Sequence, residues 1–196
     1  MKGNAFIHYV KYLLGIENPE TQTTINERAV IREFSKNAKC CVEIGVFEGV
    51  NTVIIAESMD PEGMLYGIDP FFKGRLGVSY HELITRRSIA KSKSGKRIKL
   101  LPVFSYDAVH DVPDQIDFIF IDGDHSYEGI KRDWEDWSEK IRPGGVIALH
   151  DTSVPDHDSS ISQLGSFKFY NEIINSDPRF KTVRTVDSLN ILIKNS

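Results

Sequence analysis

The most constraining feature of this sequence is a set of short apolar runs that alternate with stretches of helical periodicity. The clearest run is Ile116–Ile121, which is apolar at every position except Asp117 and is followed at once by Asp122. Near-continuous apolar strands that alternate with helices are typical of a parallel sheet covered on both faces. The pattern therefore predicts an α/β fold, a doubly wound sheet in a single domain.

The order of the predicted elements supports this fold. We expect strands at Cys40–Ile44, Met64–Ile68, Ile98–Val103, Ile116–Ile121, Val146–Leu149, Phe180–Thr185 and Leu189–Lys194. We expect helices near Ala5–Leu14, Thr24–Asn37, Asn51–Ser58, His81–Lys91, Tyr127–Ile141 and Phe167–Asn175. Pro143-Gly144-Gly145 is expected to form the turn before the fifth strand. Only three residues separate the last two strands, so these two should pair antiparallel.

Composition and charge exclude several classes of protein. The 196 residues include 24 Lys and Arg against 28 Asp and Glu, a net charge of −4, which argues against a nucleic-acid binder that works by neutralising phosphates. No stretch approaches the ~20 apolar residues of a membrane-spanning helix, and no signal-peptide core is present, so no membrane partner is expected. The adjacent Cys40 and Cys41 are typical of reduced core residues in a cytoplasmic protein.

A loop with two glycines follows the first predicted strand. In an open α/β sheet, ligands bind beyond the carboxyl ends of the strands. Gly45 and Gly49 allow the backbone to approach a ligand, and the helix that follows directs its N–H groups toward it. The loop lacks the middle glycine of the dinucleotide-binding motif and the Gly-Lys-Ser/Thr ending of a phosphate-binding loop. A simple strand-to-helix turn is the alternative interpretation.

Asp69 ends the second predicted strand, 20 residues after Gly49. A carboxylate at this point can accept two hydrogen bonds from a ribose diol. The alternative is an Asp that caps a turn before Pro70. The glycine loop and Asp69 together indicate a cofactor that contains adenosine.

The stretch Val42–Gly49 (VEIGVFEG), followed by Gly67-Ile68-Asp69, resembles the opening of class I S-adenosylmethionine (SAM)-dependent methyltransferases. The segment 116–129 (IDFIFIDGDHSYEG), with the later RPGGV and His150-Asp151, is similar to one branch of them. That branch contains the macrocin-type sugar O-methyltransferases and the cephalosporin-hydroxylase-like proteins. The resemblance covers about residues 40–151 and implies a Rossmann-like sheet of seven strands with the last strand antiparallel.

The resemblance also implies how SAM would be bound. Gly45 and Gly49 would approach its methionine part, Glu43 would lie near its ammonium group, and Asp69 would hold its ribose. A carboxylate near the ammonium and N–H groups near the carboxylate suit a zwitterionic ligand. The other candidates for cofactor contact are Val46, Phe47, Asn51, Thr52, Asp122, and the two residues that would border the adenine, Ser105 and Tyr106.

Acidic and histidine side chains follow the fourth and fifth predicted strands, namely Asp122, Asp124, His125, His150 and Asp151. Neighbouring parallel strands end side by side, so we expect these groups to converge. Two Asp and a His around one point can hold a divalent cation. Asp124 is equally a candidate for the N-cap of the next helix, and His125 for an exposed loop residue.

In the sugar O-methyltransferase branch, an Asp after the fourth strand and an acidic pair after the fifth bind magnesium, and a His three residues beyond that Asp is the general base. Asp122 and His125 match this spacing, and Asp151 matches the second acid of the pair. His150 replaces the first acid. The implied metal ligands are Asp122, His150 and Asp151, with Mg or Mn as the ion. The alternatives are a softer metal, a His150 that points away, and no metal.

The resulting prediction is a SAM-dependent O-methyltransferase that acts on a hydroxyl of a small molecule, such as a sugar or a glycosylated metabolite, with His125 and Asp122 as catalytic residues. The alternatives are an N-methyltransferase and an inactive SAM-binding scaffold. Residues 39–196 would form the methyltransferase domain, and residues 1–38 would form helices that pack on it, cover the site or mediate a homo-oligomer. The loop from Phe71 to Tyr80, with Arg75, is a candidate lid or acceptor wall.

Overall fold

The computed structural model describes residues 5–74 and 77–196, so Arg75 of the candidate lid lies outside the described residues. Seven strands form one sheet. They are β1 (Cys40–Ile44), β2 (Met64–Ile68), β3 (Ile98–Leu101), β4 (Ile116–Ile121), β5 (Ile141–Leu149), β6 (Phe180–Val186) and β7 (Leu189–Lys194). The helices are α1 (Ala5–Leu13), α2 (Ile25–Phe34), α3 (Val50–Ser58), α4 (Tyr80–Lys91), α5 (Ser105–Ala108), α6 (Tyr127–Trp137) and α7 (Gly165–Glu172).

The strand order is β3-β2-β1-β4-β5-β7-β6, and the first five of these strands are parallel. β7 lies between β5 and β6 and runs antiparallel to both. The predicted doubly wound sheet and the predicted antiparallel hairpin are thus confirmed. The strand order reverses beside β1, so the crevice for a ligand lies at the carboxyl ends of β1 and its neighbours.

Each face of the sheet has its own apolar core because successive strand residues point to opposite faces. Val42 packs in one core with Trp134 and Trp137 of α6, while Cys41 packs in the other core with Ile55 of α3. Both tryptophans are buried. The cores cover the sheet on both faces and leave its carboxyl edge open.

The fifth strand begins earlier than the sequence pattern predicts. Pro143-Gly144-Gly145 lies inside β5 rather than before it, at a shift of register opposite Ile116 and Phe118. Gly144 has φ +74°, and a Cβ on Gly145 would lie 2.8 Å from the carbonyl oxygen of Ile116. The Pro-Gly-Gly signal therefore marks an irregularity within the strand rather than its start.

Other boundaries differ by smaller amounts. β3 ends at Leu101 rather than Val103, since Pro102 has no N–H group for the ladder. α6 ends at Trp137, and a 3₁₀ turn continues the chain to Lys140. No helix among the described residues is long and apolar enough to cross a membrane.

The two N-terminal helices pack on other helices. α1 contacts α4, and α2 contacts α3. α2 begins with a capping box, in which the Thr24 hydroxyl accepts from the Glu27 amide and the Glu27 carboxylate accepts from the Thr24 amide. The segment between α1 and α2 carries residues 20–22 to the carboxyl edge of the sheet, where they line a cavity.

Candidate active site

A cavity of about 1270 Å³ opens at the carboxyl ends of β1, β2, β3 and β4. Most of the predicted cofactor residues line it, together with the candidate base: Gly45, Val46, Phe47, Asn51, Asp69, Ser105, Tyr106, Asp122 and His125. Glu43, Gly49, Thr52, His150 and Asp151 are not part of its lining. The site is therefore built around the edge of the sheet that the strand pattern indicates.

The turn after β1 passes very close to the end of β4. A Cβ on Gly45, which has φ +87°, would lie 2.0 Å from the carbonyl oxygen of Asp122, so only glycine fits at this position. Gly49 also has a positive φ and forms the N-cap of α3. Phe47 adopts a left-handed conformation between the two glycines, with φ +53°. This sharp turn brings Gly45, Val46 and Phe47 to the wall of the cavity.

The carboxylate of Asp69 holds this turn. Its Oδ2 accepts hydrogen bonds from the amides of Val46 and Phe47, each at 3.0 Å, and its Oδ1 accepts from the amide of Phe71 at 2.7 Å. The turn-capping role that the sequence left open is thus present. A carboxylate has about four lone-pair positions, so a side chain that accepts three N–H groups can still accept from a ligand in the cavity.

Glu43 lies behind the glycine loop and is fully buried. The Thr52 hydroxyl donates to its Oε2 at 2.5 Å, while its Oε1 is buried without a hydrogen-bond partner among the described residues. Burial, with the nearby charges of Asp122 and Asp69, raises the pKa of Glu43 well above its usual range. The structure thus leaves one acidic oxygen unsatisfied beneath the loop.

Glu48 lies within the glycine loop and joins it to the N-terminal segment. Its buried carboxylate contacts His8 Nε2 at 3.0 Å and His81 Nδ1 at 2.9 Å and accepts from the Glu20 amide at 2.6 Å. These hydrogen bonds lower the pKa of Glu48, although burial works in the opposite direction. The sequence analysis assigned no role to Glu48. Its one signal was a charged residue between two glycines of a tight turn.

The reaction end of the cavity brings three predicted residues together. Ligand-capable atoms of Asp122, His125 and Asp151 all lie within 4.8 Å of one another. His125 Nδ1 is 3.5 Å from Asp151 Oδ2, and His125 Nε2 is 3.8 Å from Asp122 Oδ1. The imidazole of His125 is partly exposed and lines the cavity. A histidine between two carboxylates can accept a proton and be stabilised as an imidazolium.

His150, which the sequence analysis placed among the metal ligands, is not one of the three residues of this group, although its Nδ1 lies 3.5 Å from Asp151 Oδ1. Its ring is buried, with Nδ1 at 2.9 Å from Asp122 Oδ1 and Nε2 at 3.4 Å from Glu27 Oε2. The carboxylates of Asp122, Glu27 and Asp151 raise its pKa to about 11, against the effect of burial. The chain turns at Asp151, which has φ +54°, so Asp151 faces His125 while His150 packs inward. The candidate metal set is therefore Asp122, His125 and Asp151.

Asp124 is not the N-cap of α6, which corrects one of the two interpretations that the sequence allowed. Ser126 is the cap, and its hydroxyl accepts from the Gly129 amide at 3.0 Å. Asp124 accepts from the Ser126 amide at 2.9 Å and so forms the turn that precedes the cap. Asp and Ser are both common in turns and at helix N-caps, and here the hydroxyl of Ser126 takes the capping position.

Aromatic rings form the opposite end of the cavity. Phe72 is 75% exposed and Phe104 is 41% exposed, and their rings lie 5.9 Å apart. Phe104 stacks on Tyr106 at 5.2 Å, and the Arg132 guanidinium lies 3.5 Å from the Tyr106 ring centroid. Exposed rings at the mouth of a cavity favour a planar apolar ligand group.

Asp133 of α6 is the second residue that sequence reasoning missed. The Ser105 hydroxyl donates to its Oδ1 at 2.5 Å, and burial raises the pKa of Asp133 to about 6. It lies on the buried stripe of α6 with Ile130 and Trp134. An acidic residue on an apolar stripe was the signal that could have identified it.

Comparison with known proteins gives one family match. A family model described as a methyltransferase domain matches residues 42–152. The uncharacterized protein y4gI of Sinorhizobium fredii is 28% identical over 127 residues, which are 62% of this chain and 14% of that protein. The uncharacterized protein R132 of Acanthamoeba polyphaga mimivirus is 27% identical over 123 residues, which are 60% of this chain and 53% of that protein. The match thus covers about half of one relative and far less of the other.

The solved structures that share this fold over the whole chain include the following two. The cofactor-bound protein Rv0187 from MTB has a TM-score of 0.72 at 15% identity, with 100% of this chain and 93% of that chain covered. The O-methyltransferase TomG from Streptomyces achromogenes, which is involved in tomaymycin synthesis and was solved in complex with SAM, has a TM-score of 0.67 at 16% identity, with 100% and 92% covered. At these identities the likeness shows a shared fold.

Proposed function

Because this chain belongs to the methyltransferase-domain family and has the seven-stranded sheet of class I SAM-dependent methyltransferases, we propose that it transfers the methyl group of SAM to a hydroxyl oxygen of a small molecule. The observation that carries the proposal is the position of His125. This imidazole lies between two carboxylates and lines the same cavity as the glycine loop and Asp69.

The cavity suits two reactants. Its volume of about 1270 Å³ exceeds the roughly 300–1,000 Å³ typical of a site for one small ligand. Asp69 would accept hydrogen bonds from the ribose, and the amides at the start of α3 would face the carboxylate of the methionine part. The Oε1 of Glu43 beneath the loop has no hydrogen-bond partner among the described residues. A ligand with an ammonium group above it would supply a donor and would favour the ionised form of this carboxyl, whose pKa burial raises.

His125 would act as the general base. Histidine is the side chain that most often performs this role near neutral pH. When His125 takes the hydroxyl proton, Asp122 and Asp151 stabilise the imidazolium that forms, at 3.8 and 3.5 Å in the present geometry. The acceptor oxygen then forms its bond to the methyl carbon, the carbon–sulfur bond breaks, and its electron pair leaves on S-adenosylhomocysteine. The cavity contributes by holding oxygen, carbon and sulfur in line.

Several polar side chains of the cavity wall favour a polar acceptor. Thr21 and Gln22 of the N-terminal segment, His81 of α4 and Ser126 all line the cavity. These hydroxyl, amide and imidazole groups can donate and accept hydrogen bonds with several hydroxyls at once. This composition supports a sugar or a glycosylated metabolite as the acceptor. Residues 17–24 would then cover the site. The hydrogen bond from the Glu20 amide to Glu48 joins this segment to the glycine loop.

The same cluster offers a second candidate mechanism, which is metal assistance. Asp122, His125 and Asp151 provide two carboxylates and one imidazole whose ligand atoms lie within 4.8 Å of one another. This donor set fits a divalent cation, and its imidazole favours Mn²⁺ over Mg²⁺. A cation bound there would supply a Lewis acid for the substrate hydroxyl. His125 would in that case be a ligand rather than the base.

The experiment that tests the proposal is a transfer assay with SAM labelled in its methyl group. Purified protein is incubated with monosaccharides, glycosides and matched amines, with and without excess chelator, and methylated products are identified by mass spectrometry. We expect methyl ethers of hydroxylated acceptors, and turnover that persists in chelator because His150 already donates a hydrogen bond to Asp122. Methylated amines alone would overturn the hydroxyl acceptor. Loss of turnover that Mn²⁺ restores would favour the metal mechanism.

A further inference from the structure

The end of the cavity near β3 can be assigned to the nucleobase of the cofactor, an assignment that rests on the proposed function. β1, β2 and β3 lie side by side in the sheet. A ligand whose methionine part lies at the turn after β1 and whose ribose lies at Asp69 after β2 extends its base toward the end of β3. The exposed rings of Phe72 and Phe104 line the cavity there, with Ser105 between Phe104 and Tyr106.

The hydrogen bond between Ser105 and Asp133 has a fixed direction. An ionised carboxylate can only accept, so the hydroxyl of Ser105 donates its single hydrogen to Asp133 Oδ1, at 2.5 Å. The oxygen of Ser105 therefore has free lone pairs, but it has no hydrogen left to donate to a ligand in the cavity. Ser105 thus presents an acceptor to a ligand, although a serine hydroxyl elsewhere could rotate to donate.

The burial of Asp133 destabilises the folded state, which argues against a purely structural role for this residue. It is buried in α6, and within residues 5–74 and 77–196 it forms no ion pair. The nearest charges include Asp136 and Asp124, which oppose its ionisation, and Arg132, whose guanidinium lies over the Tyr106 ring. A buried carboxylate without a cation is unfavourable. Its position against Ser105 at the cavity indicates a use in ligand recognition.

We propose that Asp133 and Ser105 form a polarity relay that selects a cofactor base with an amino group, adenine, over a base with a carbonyl group at the same position, hypoxanthine. The amino group of adenine donates to the lone pairs of Ser105. The carbonyl of hypoxanthine would face those lone pairs as a second acceptor, and a polar pair of this kind inside a closed site is repulsive. Ser105 contacts the base, and Asp133 is a positioning residue that acts through it.

The test compares two ligands that differ only at this group, S-adenosylhomocysteine and S-inosylhomocysteine. Their dissociation constants are measured by calorimetry for the unmodified protein, Asp133→Asn and Ser105→Ala. We expect the unmodified protein to prefer the adenine ligand by about tenfold or more, the cost of one mismatched buried hydrogen bond. In Asp133→Asn the amide can donate to Ser105, whose hydroxyl is then free to donate to the carbonyl, so the ratio should fall to about threefold or less.

The measured quantity is the ratio of the dissociation constants of the two ligands. A general loss of packing would not change this ratio. Asp114→Asn makes the same chemical change at an exposed Asp remote from the cavity and should leave the ratio unchanged. Ser105→Ala removes the acceptor and should also reduce the ratio, which keeps the test decisive if Asp133→Asn folds poorly. An unchanged ratio in a folded variant would overturn the relay. Failure of both ligands to bind the unmodified protein would instead contradict the proposed function.

Discussion

The Nδ1 of His150 lies 2.9 Å from the Oδ1 of Asp122, at the base of the active site. On the other side of the ring, Nε2 lies 3.4 Å from the carboxylate of Glu27 in α2. Glu27 also accepts from the amide and the hydroxyl of Ser188. A buried chain of polar groups therefore joins the N-terminal helices, the turn between β6 and β7 and the candidate catalytic cluster.

His150→Ala should destabilise the fold because it leaves Glu27 buried without its cationic partner. Removing one member of such a pair costs about 3 kcal/mol in the free energy of unfolding, measured by urea denaturation. The double variant Glu27→Gln with His150→Ala removes both charges and should cost less than the two single changes added together. A loss below about 0.5 kcal/mol for His150→Ala, the usual effect of a surface change, would contradict this role.

His125→Gln should abolish most of the methyl transfer and leave SAM binding nearly intact. The variant cannot accept the hydroxyl proton, and loss of a general base typically lowers turnover by about 10²- to 10⁴-fold. Binding is measured by calorimetry and turnover by the labelled-methyl assay. His157→Gln, the same change in the exposed loop after β5, is the matched control and should retain full turnover. Equal turnover in both variants would remove His125 from the role of base.

Asp133→Asn should stabilise the protein at pH 8 relative to pH 5. Burial raises the pKa of Asp133 from 3.8 to about 6, so the folded state binds a proton more tightly than the unfolded state. The stability that this provides is fully present below pH 3.8 and is lost as the pH rises through 6. At pH 8 the Asn variant avoids this loss, about 3 kcal/mol in total. About half of it has already occurred at pH 5, so the effect of the substitution should differ by about 1.5 kcal/mol between the two pH values. The same difference at both pH values, measured by urea unfolding, would contradict the shift.

Glu48→Gln should loosen the N-terminal segment without unfolding the sheet. A glutamine has one acceptor oxygen in place of two, so it cannot serve His8, His81 and the Glu20 amide together. Hydrogen exchange should become faster in residues 5–24 and stay unchanged in β1 and β4. Glu57→Gln, on the exposed side of α3, provides the control. Unchanged exchange in residues 5–24 would show that Glu48 does not hold this segment.

Much of the fold could be predicted because its signals are local. β4 is an apolar run that ends at Asp122, and the hairpin of β6 and β7 follows from a very short connection. The carboxyl ends of parallel strands share one edge of the sheet, so Asp69 and His125 could be assigned to one site from their positions alone. The Pro-Gly-Gly of β5 was misplaced because such a signal marks an irregular backbone in a bulge as well as in a turn.

The partners of the buried charged residues could not be predicted, since they lie far apart in the sequence. Glu27 meets Ser188 across 161 positions, Glu48 meets His8 across 40, and Ser105 meets Asp133 across 28. No periodicity encodes such pairs. The inward position of His150 likewise depends on the left-handed backbone of Asp151, for which a single Asp is only a weak signal.

The central claim is that the cavity at the ends of β1, β2 and β4 binds SAM beside His125. The most direct measurement is a calorimetric titration of the purified, chelator-treated protein with SAM, followed by S-adenosylhomocysteine. The account predicts saturable binding of one molecule per chain for each ligand, with mutual competition. Absence of saturable heat and of competition in protein shown to be folded would contradict it and would leave Asp69 as a turn residue.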